Sequence, residues 1–136
     1  MTDEGLLAKK LAFVETCLSE LKVLARPEII EVDVKERRFV EHTLQICLQA
    51  IQDTASHIVS DARLGEPRTN AELFSLLAGA GYISDALSAK LRAAVGFRNV
   101  LVHGYTAVDP RIVRDVVENH LEEMTEFVTA VRLRLK

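Results

Sequence analysis

Leu7, Leu11, Val14, Leu18 and Leu21 recur at spacings of three and four and mark one apolar stripe along a helix predicted over Glu4–Leu24. Pro27 ends that pattern, because it lacks an amide hydrogen and disfavours helical geometry in Arg26. Ile29, Ile30, Val32 and Val34 are then broken up by charges, which reads as an extended connection laid over the core; a short strand there would lack a partner. Asp33, with Glu36 three residues on, caps the longest pattern, Lys35–Arg63. There Val40, Leu44, Cys47, Ile51, Ala55 and Ile58 face inward along about 40 Å of helix. After the loop Leu64–Arg68, Thr69 and Glu72 open a short helix through Ala78, closed by Gly79-Ala80-Gly81. Ser84 caps a fourth helix with Leu87, Leu91, Val95 and Val102 on its apolar face. Asp109-Pro110 starts the last one, whose stripe runs through Ile112, Val113, Val116, Val117, Leu121, Met124, Val128 and Val131. The expectation is an all-α fold: an up-and-down bundle of four main helices plus one short helix.

Composition supports that picture. The chain has 136 residues, 49% hydrophobic, with only six Gly and three Pro, so few positions demand turn chemistry. One domain over 1–136 is expected, long enough to bury about two thirds of its surface. The acidic start and the lack of any uncharged apolar run of membrane-spanning length point to a cytoplasmic location with no membrane partner. Cys17 and Cys47 sit at apolar positions of separate helical patterns and read as small core residues rather than as a disulfide or metal pair.

A net charge of −3 argues against a general nucleic-acid binder, but its distribution changes the picture. Lys90, Arg92, Arg98, Arg111 and Arg114 face only one acid, Asp109, within their span, which suggests a local basic patch on an acidic body. Inside that span the fourth helix carries Phe97-Arg98-Asn99-Val100-Leu101-Val102-His103-Gly104-Tyr105, where a guanidinium, an amide, an imidazole and a phenol interrupt an apolar segment before a glycine. Arginine offers a planar fork of donors that matches phosphate, and histidine exchanges protons near neutrality. Asn99 and His103 are about 40° apart on one helix face, so the amide can orient the imidazole. Arg98 and His103 diverge by about 140°, so a straight helix does not aim both at one atom. Convergence needs the long arginine side chain, an unwound last turn before Gly104, or a symmetry mate, and the last option points towards a homodimer. On the long helix Asp53 and His57, four apart on one face, read either as polar support behind the motif or as a surface pair. A third ligand is missing, so neither a metal site nor any other cofactor is expected.

Adding Asn99 and Tyr105 to the Arg-x4-His spacing makes a chance match on the order of one in ten thousand. The string resembles the Arg-x4-His-x-Tyr signature of the HEPN superfamily, in particular the HepT-like toxins of HEPN/MNT toxin–antitoxin pairs. The likeness extends through the order of elements from about Arg37 onward. The resemblance implies a helical-bundle homodimer with a metal-independent ribonuclease site at its interface, silenced by an MNT-type nucleotidyltransferase antitoxin. Arg98 would then clamp the RNA phosphate, His103 act as base or acid, and Asn99 and Tyr105 orient or bind substrate. In part of the family the antitoxin transfers AMP to the tyrosine of the motif, here Tyr105.

Three functions from different classes remain open at this point. One is an RNA endonuclease toxin, another a non-catalytic nucleotide- or substrate-binding helper of a nucleotidyltransferase. A third is a structural bundle whose motif only satisfies core polar groups. An arginine drawn into the core needs a counter-charge that the motif's neighbours do not supply, which counts against the third.

Overall fold

α2 (Val34–Asp61), 28 residues long, is the spine of the computed structural model, which describes residues 3–103 and 108–135. α1 (Glu4–Val23), α3 (Glu72–Gly79), α4 (Asp85–His103) and α5 (Pro110–Asn119) all pack against it, and α6 (Leu121–Leu135) closes the bundle against α1 and α4. α1, α2, α4 and α6 are the four main helices of an all-α bundle, with α3 buttressing α2 and α4. The core follows the apolar stripes the spacing marked, although Ile112 is 53% exposed and Val102 only half-buried. Leu7, Leu11, Val14, Leu44, Ile51, Ile58, Leu91 and Val131 are buried, and Phe74 meets Phe127 edge to face with ring centroids 6.1 Å apart. Cys17 and Cys47 are buried and free. Cys47 Sγ lies 4.0 Å from Met124 Sδ, and the neighbouring Cys17 together with burial pushes its thiol well above the usual value, so it stays protonated. Among the described residues no helix is long and apolar enough to cross a membrane.

Local signals set the helix starts. Asp3, Asp33 and Asp109 each accept a backbone N–H of the first turn, from Leu6, Glu36 and Arg111 at 2.9–3.0 Å. Ser84 accepts from Leu87 N at 3.1 Å; Thr69 accepts from Glu72 N at 3.2 Å but does so in the turn before α3, whose N-cap, Ala71, carries no side-chain cap. The Glu36 carboxylate, which a reciprocal box would return to Asp33, instead accepts the N–H of Arg26 at 2.9 Å and ties the incoming chain to α2.

Two expectations are corrected. Residues 27–33 are not extended: Pro27–Ile29 form one 3-10 turn, and Val32 and Asp33 both donate back to the Ile29 carbonyl. Ile30 alone is buried there, while Val32 is 84% exposed. The charges between the apolar residues thus mark a tight turn that inserts one side chain. The last helix is also two. His120 leaves helical geometry (φ −124, ψ 8), and its Nδ1 meets the Glu123 carboxylate at 2.7 Å at the head of α6. α5 packs on α2 and the 27–29 turn, whereas α6 packs on α1 and α4, and the bend lets one stripe serve both surfaces.

Candidate active site at the α2–α4 seam

Leu87, Leu91 and Val95 line the buried face of α4, and the next position at that spacing is Arg98. Helical periodicity therefore delivers a guanidinium where a core residue would sit, and the half-buried side chain runs into α2. Its Nη2 donates to Gln49 Oε1 and its Nη1 to Asn99 Oδ1 at 3.2 Å. Gln49 in turn donates from Nε2 to Asp53 Oδ1 at 2.7 Å. Arg98 Nε is buried without an acceptor among the described residues. None of the ion pairs among the described residues includes Arg98, so its charge is uncancelled.

His103 is the last residue of α4 and is exposed, as are Asn99 and Val100. The Asn99 oxygen faces the guanidinium rather than the imidazole, so this amide orients Arg98 where the sequence suggested His103. Gly104 and Tyr105 lie outside the described residues. Asp53 and His57 do not pair. Asp53 turns back one helical turn to Gln49, and His57 Nε2 lies 3.2 Å from Asp61 Oδ2 without hydrogen-bond alignment. Asp53 is thereby joined to Arg98 through Gln49, whereas His57 has no contact with that chain of hydrogen bonds. Among the described residues no three His, Cys, Asp or Glu side chains converge as metal ligands.

The basic patch is smaller than its sequence span suggests. Arg111 is held by both oxygens of Asp109, at 3.2 and 3.0 Å, and Arg114 by Glu118 at 3.2 Å and Glu31 at 3.6 Å. The Arg111 guanidinium keeps the Asp109 carboxyl below its usual range. Two of the five cations are thus neutralised by carboxylates, one of them from a turn some eighty residues away in sequence. Lys9 and Lys10 of α1, with Phe13, line a groove of about 370 Å³ whose wall includes Gln49 and Asp53. Neither these lysines nor Gln49 stood out in the sequence; Gln49 is one of three amides in α2, with Gln45 and Gln52, and differs only in standing one turn before Asp53. Chemically, the seam offers a positive fork fixed in place by amides with an exposed imidazole further along the same helix, a set suited to binding a phosphate and moving a proton beside it.

A family model described as HepT-like ribonuclease matches residues 14–131. The chain is 31% identical over 128 residues to the mRNA nuclease HepT of Shewanella oneidensis, covering 93% of this chain and 96% of that one. It is 29% identical over 97 residues to the tRNA nuclease HepT of Aphanizomenon flos-aquae, covering 71% and 66%. The fold matches the tri-AMPylated Shewanella oneidensis HEPN toxin, solved in complex with an MNT antitoxin, with a TM-score of 0.87 at 31% identity over 98% of this chain and 99% of that one.

Proposed function

The chain belongs to the HepT-like ribonuclease family, and we propose that it is the toxin of a HEPN/MNT pair, a metal-independent RNA endonuclease neutralised by a nucleotidyltransferase antitoxin. The observation that carries this is the uncancelled Arg98 guanidinium, fixed by amides at the seam beside the helix end that bears His103. RNA brings its own nucleophile. The 2′-hydroxyl oxygen bonds to the adjacent phosphorus as the P–O5′ bond breaks, giving a 2′,3′-cyclic phosphate and a free 5′-hydroxyl. His103 takes the 2′-hydroxyl proton or returns one to the leaving O5′. Arg98 stabilises the charge that builds on the equatorial oxygens, worth about 10²- to 10³-fold for one donor group. Asn99 holds the fork, and Tyr105 contacts the substrate. DNA, lacking the 2′-hydroxyl, is not cut.

Arg98 and His103 splay on one helix, so two copies of the motif facing each other across a two-fold axis supply the composite cleft. For regulation, the Tyr105 oxygen attacks the α-phosphorus of ATP in the antitoxin's site and pyrophosphate leaves. Each attached AMP then places a phosphate anion beside Arg98 and competes with RNA for the fork.

The test is RNA cleavage in the presence of a chelator. The parent cleaves, while folded Arg98→Ala and His103→Ala each lose about 10²- to 10⁴-fold. A folded His103→Ala protein that cleaves at the parent rate overturns the proton-transfer role. Co-expression with the nucleotidyltransferase adds AMP-sized mass increments to the parent and none to Tyr105→Phe; increments that persist in the Phe variant place the modification elsewhere.

A further inference from the structure

Resting on the reading of Arg98 as the phosphate clamp, we propose that Gln49 and Asp53 are its positioning residues: a neutral amide, locked in one orientation by a carboxylate, that holds the guanidinium without cancelling its charge. The hydrogen bonds run in one direction, from Arg98 Nη2 to Gln49 Oε1 and from Gln49 Nε2 to Asp53 Oδ1. An amide can present either end to a neighbour, but here only one orientation is viable. Turned over, it would set its NH2 against the donor-only guanidinium and its oxygen against the acceptor-only carboxylate. Asp53 therefore decides which end of Gln49 meets Arg98.

Interposing the amide has a second effect. A carboxylate placed directly on Arg98 would form the charge-assisted pair that an RNA phosphate needs to form. One hydrogen bond further away, Asp53 fixes the geometry and leaves the fork available. Gln49 and Asn99 take one hydrogen from each terminal nitrogen, and Nε is buried with no acceptor among the described residues. Two neutral amides thus set the plane of the guanidinium, and one hydrogen on each terminal nitrogen stays open to an anion. The Gln49–Asp53 pair also lies in the wall of the groove lined by Lys9 and Lys10, which makes this ladder the boundary between the fork and a second source of positive charge.

The experiment compares Gln49→Leu, Asp53→Asn and Gln49→Glu with the parent for kcat and KM on an RNA oligonucleotide, for thermal midpoint, and for the Arg98 Nε–Hε resonance by NMR. Gln49→Leu and Asp53→Asn are expected to lower kcat about 10- to 100-fold with little change in KM, as for a misplaced catalytic group. Gln49→Glu is expected to lower kcat at least as much while the midpoint holds or rises, because the new ion pair fixes Arg98 but cancels its charge. A purely structural role gives the opposite sign, with Gln49→Glu active and Gln49→Leu losing rate only in proportion to unfolded protein. A folded Gln49→Glu or Gln49→Leu protein that cleaves at the parent rate overturns the proposal. A parent that cleaves no RNA overturns the proposed function instead. The resonance then decides alone: a sharp Arg98 signal that broadens in Asp53→Asn supports positioning, and one unchanged in all three variants refutes it.

Discussion

At the edge between α1 and α6, Arg132 closes on the Glu15 carboxylate at 2.6 Å, whereas at the seam between α2 and α4 Arg98 ends on the amides of Gln49 and Asn99. In the first place each charge stabilises the other: the hydrogen bond lowers the Glu15 carboxyl and raises the Arg132 guanidinium from their ordinary values. Arg111 and Arg114 are held in the same manner along α5. Such pairs stand in water and contribute little to stability. In the second place the cation is drawn half into the protein with no carboxylate partner among the described residues, a costly arrangement for the fold. Carboxylate partners neutralise the surface arginines, whereas on the proposed function the amide partners leave Arg98 its charge for an RNA phosphate.

Arginine-to-lysine exchange at both places should break that contrast most sharply. Arg98→Lys is expected to reduce cleavage by more than about 100-fold, since a point charge on a flexible stem cannot reproduce the planar fork. Arg132→Lys should cleave RNA at the parent rate. The second test is thermodynamic: Arg132→Ala is expected to lower unfolding free energy in urea by no more than about 1 kcal/mol and to leave cleavage unaltered. Loss of activity there would mean the surface arginines also serve RNA.

The smallest effect concerns a histidine held like the surface arginines. The Glu123 hydrogen bond, aided by the charges of Glu123 and Asp115 and opposed by burial, raises His120 above the ordinary 6.5. The protonated form is favoured in the folded state, so its stabilisation is full below pH 6.5 and is lost as pH rises through the raised value. Thermal midpoints measured across that window should decline slightly for the parent and follow a flatter course for His120→Gln. A slope of the same size in both proteins would assign the pH dependence to other groups.

Features set by neighbours in sequence were legible in it. Asp33, Ser84 and Asp109 cap helices because a side chain and an amide two or three residues away need no tertiary partner. The break at His120 was hidden because Val113, Val117, Leu121, Met124 and Val128 keep helical spacing across it, and periodicity records which side is apolar, not whether the axis bends. Asp53 and His57 share a face, yet Asp53 bonds Gln49 one turn back and His57 lies beside Asp61 one turn on, a choice that i,i+4 spacing leaves open. Gln49 could not be found from spacing at all, because it reaches Arg98 across forty-nine positions. For the same reason the neutralisation of Arg114 by Glu31 was invisible, and the basic span read as more cationic than it is.

His103 and Asn99 project from the exposed final turns of α4, outside the packed interior. On the proposed function, a cell growing under inhibition by this chain can therefore be rescued by a single missense change there. The disarmed product would remain folded and abundant and, with a composite cleft, would pair with working copies and spoil their shared site. Suppressors selected for growth should accordingly fall into two genetic kinds. Truncations and core lesions remove the chain and are recessive to an intact copy, whereas codon changes at 98, 99 and 103 preserve a subunit that poisons mixed dimers and shields a cell still carrying an active allele.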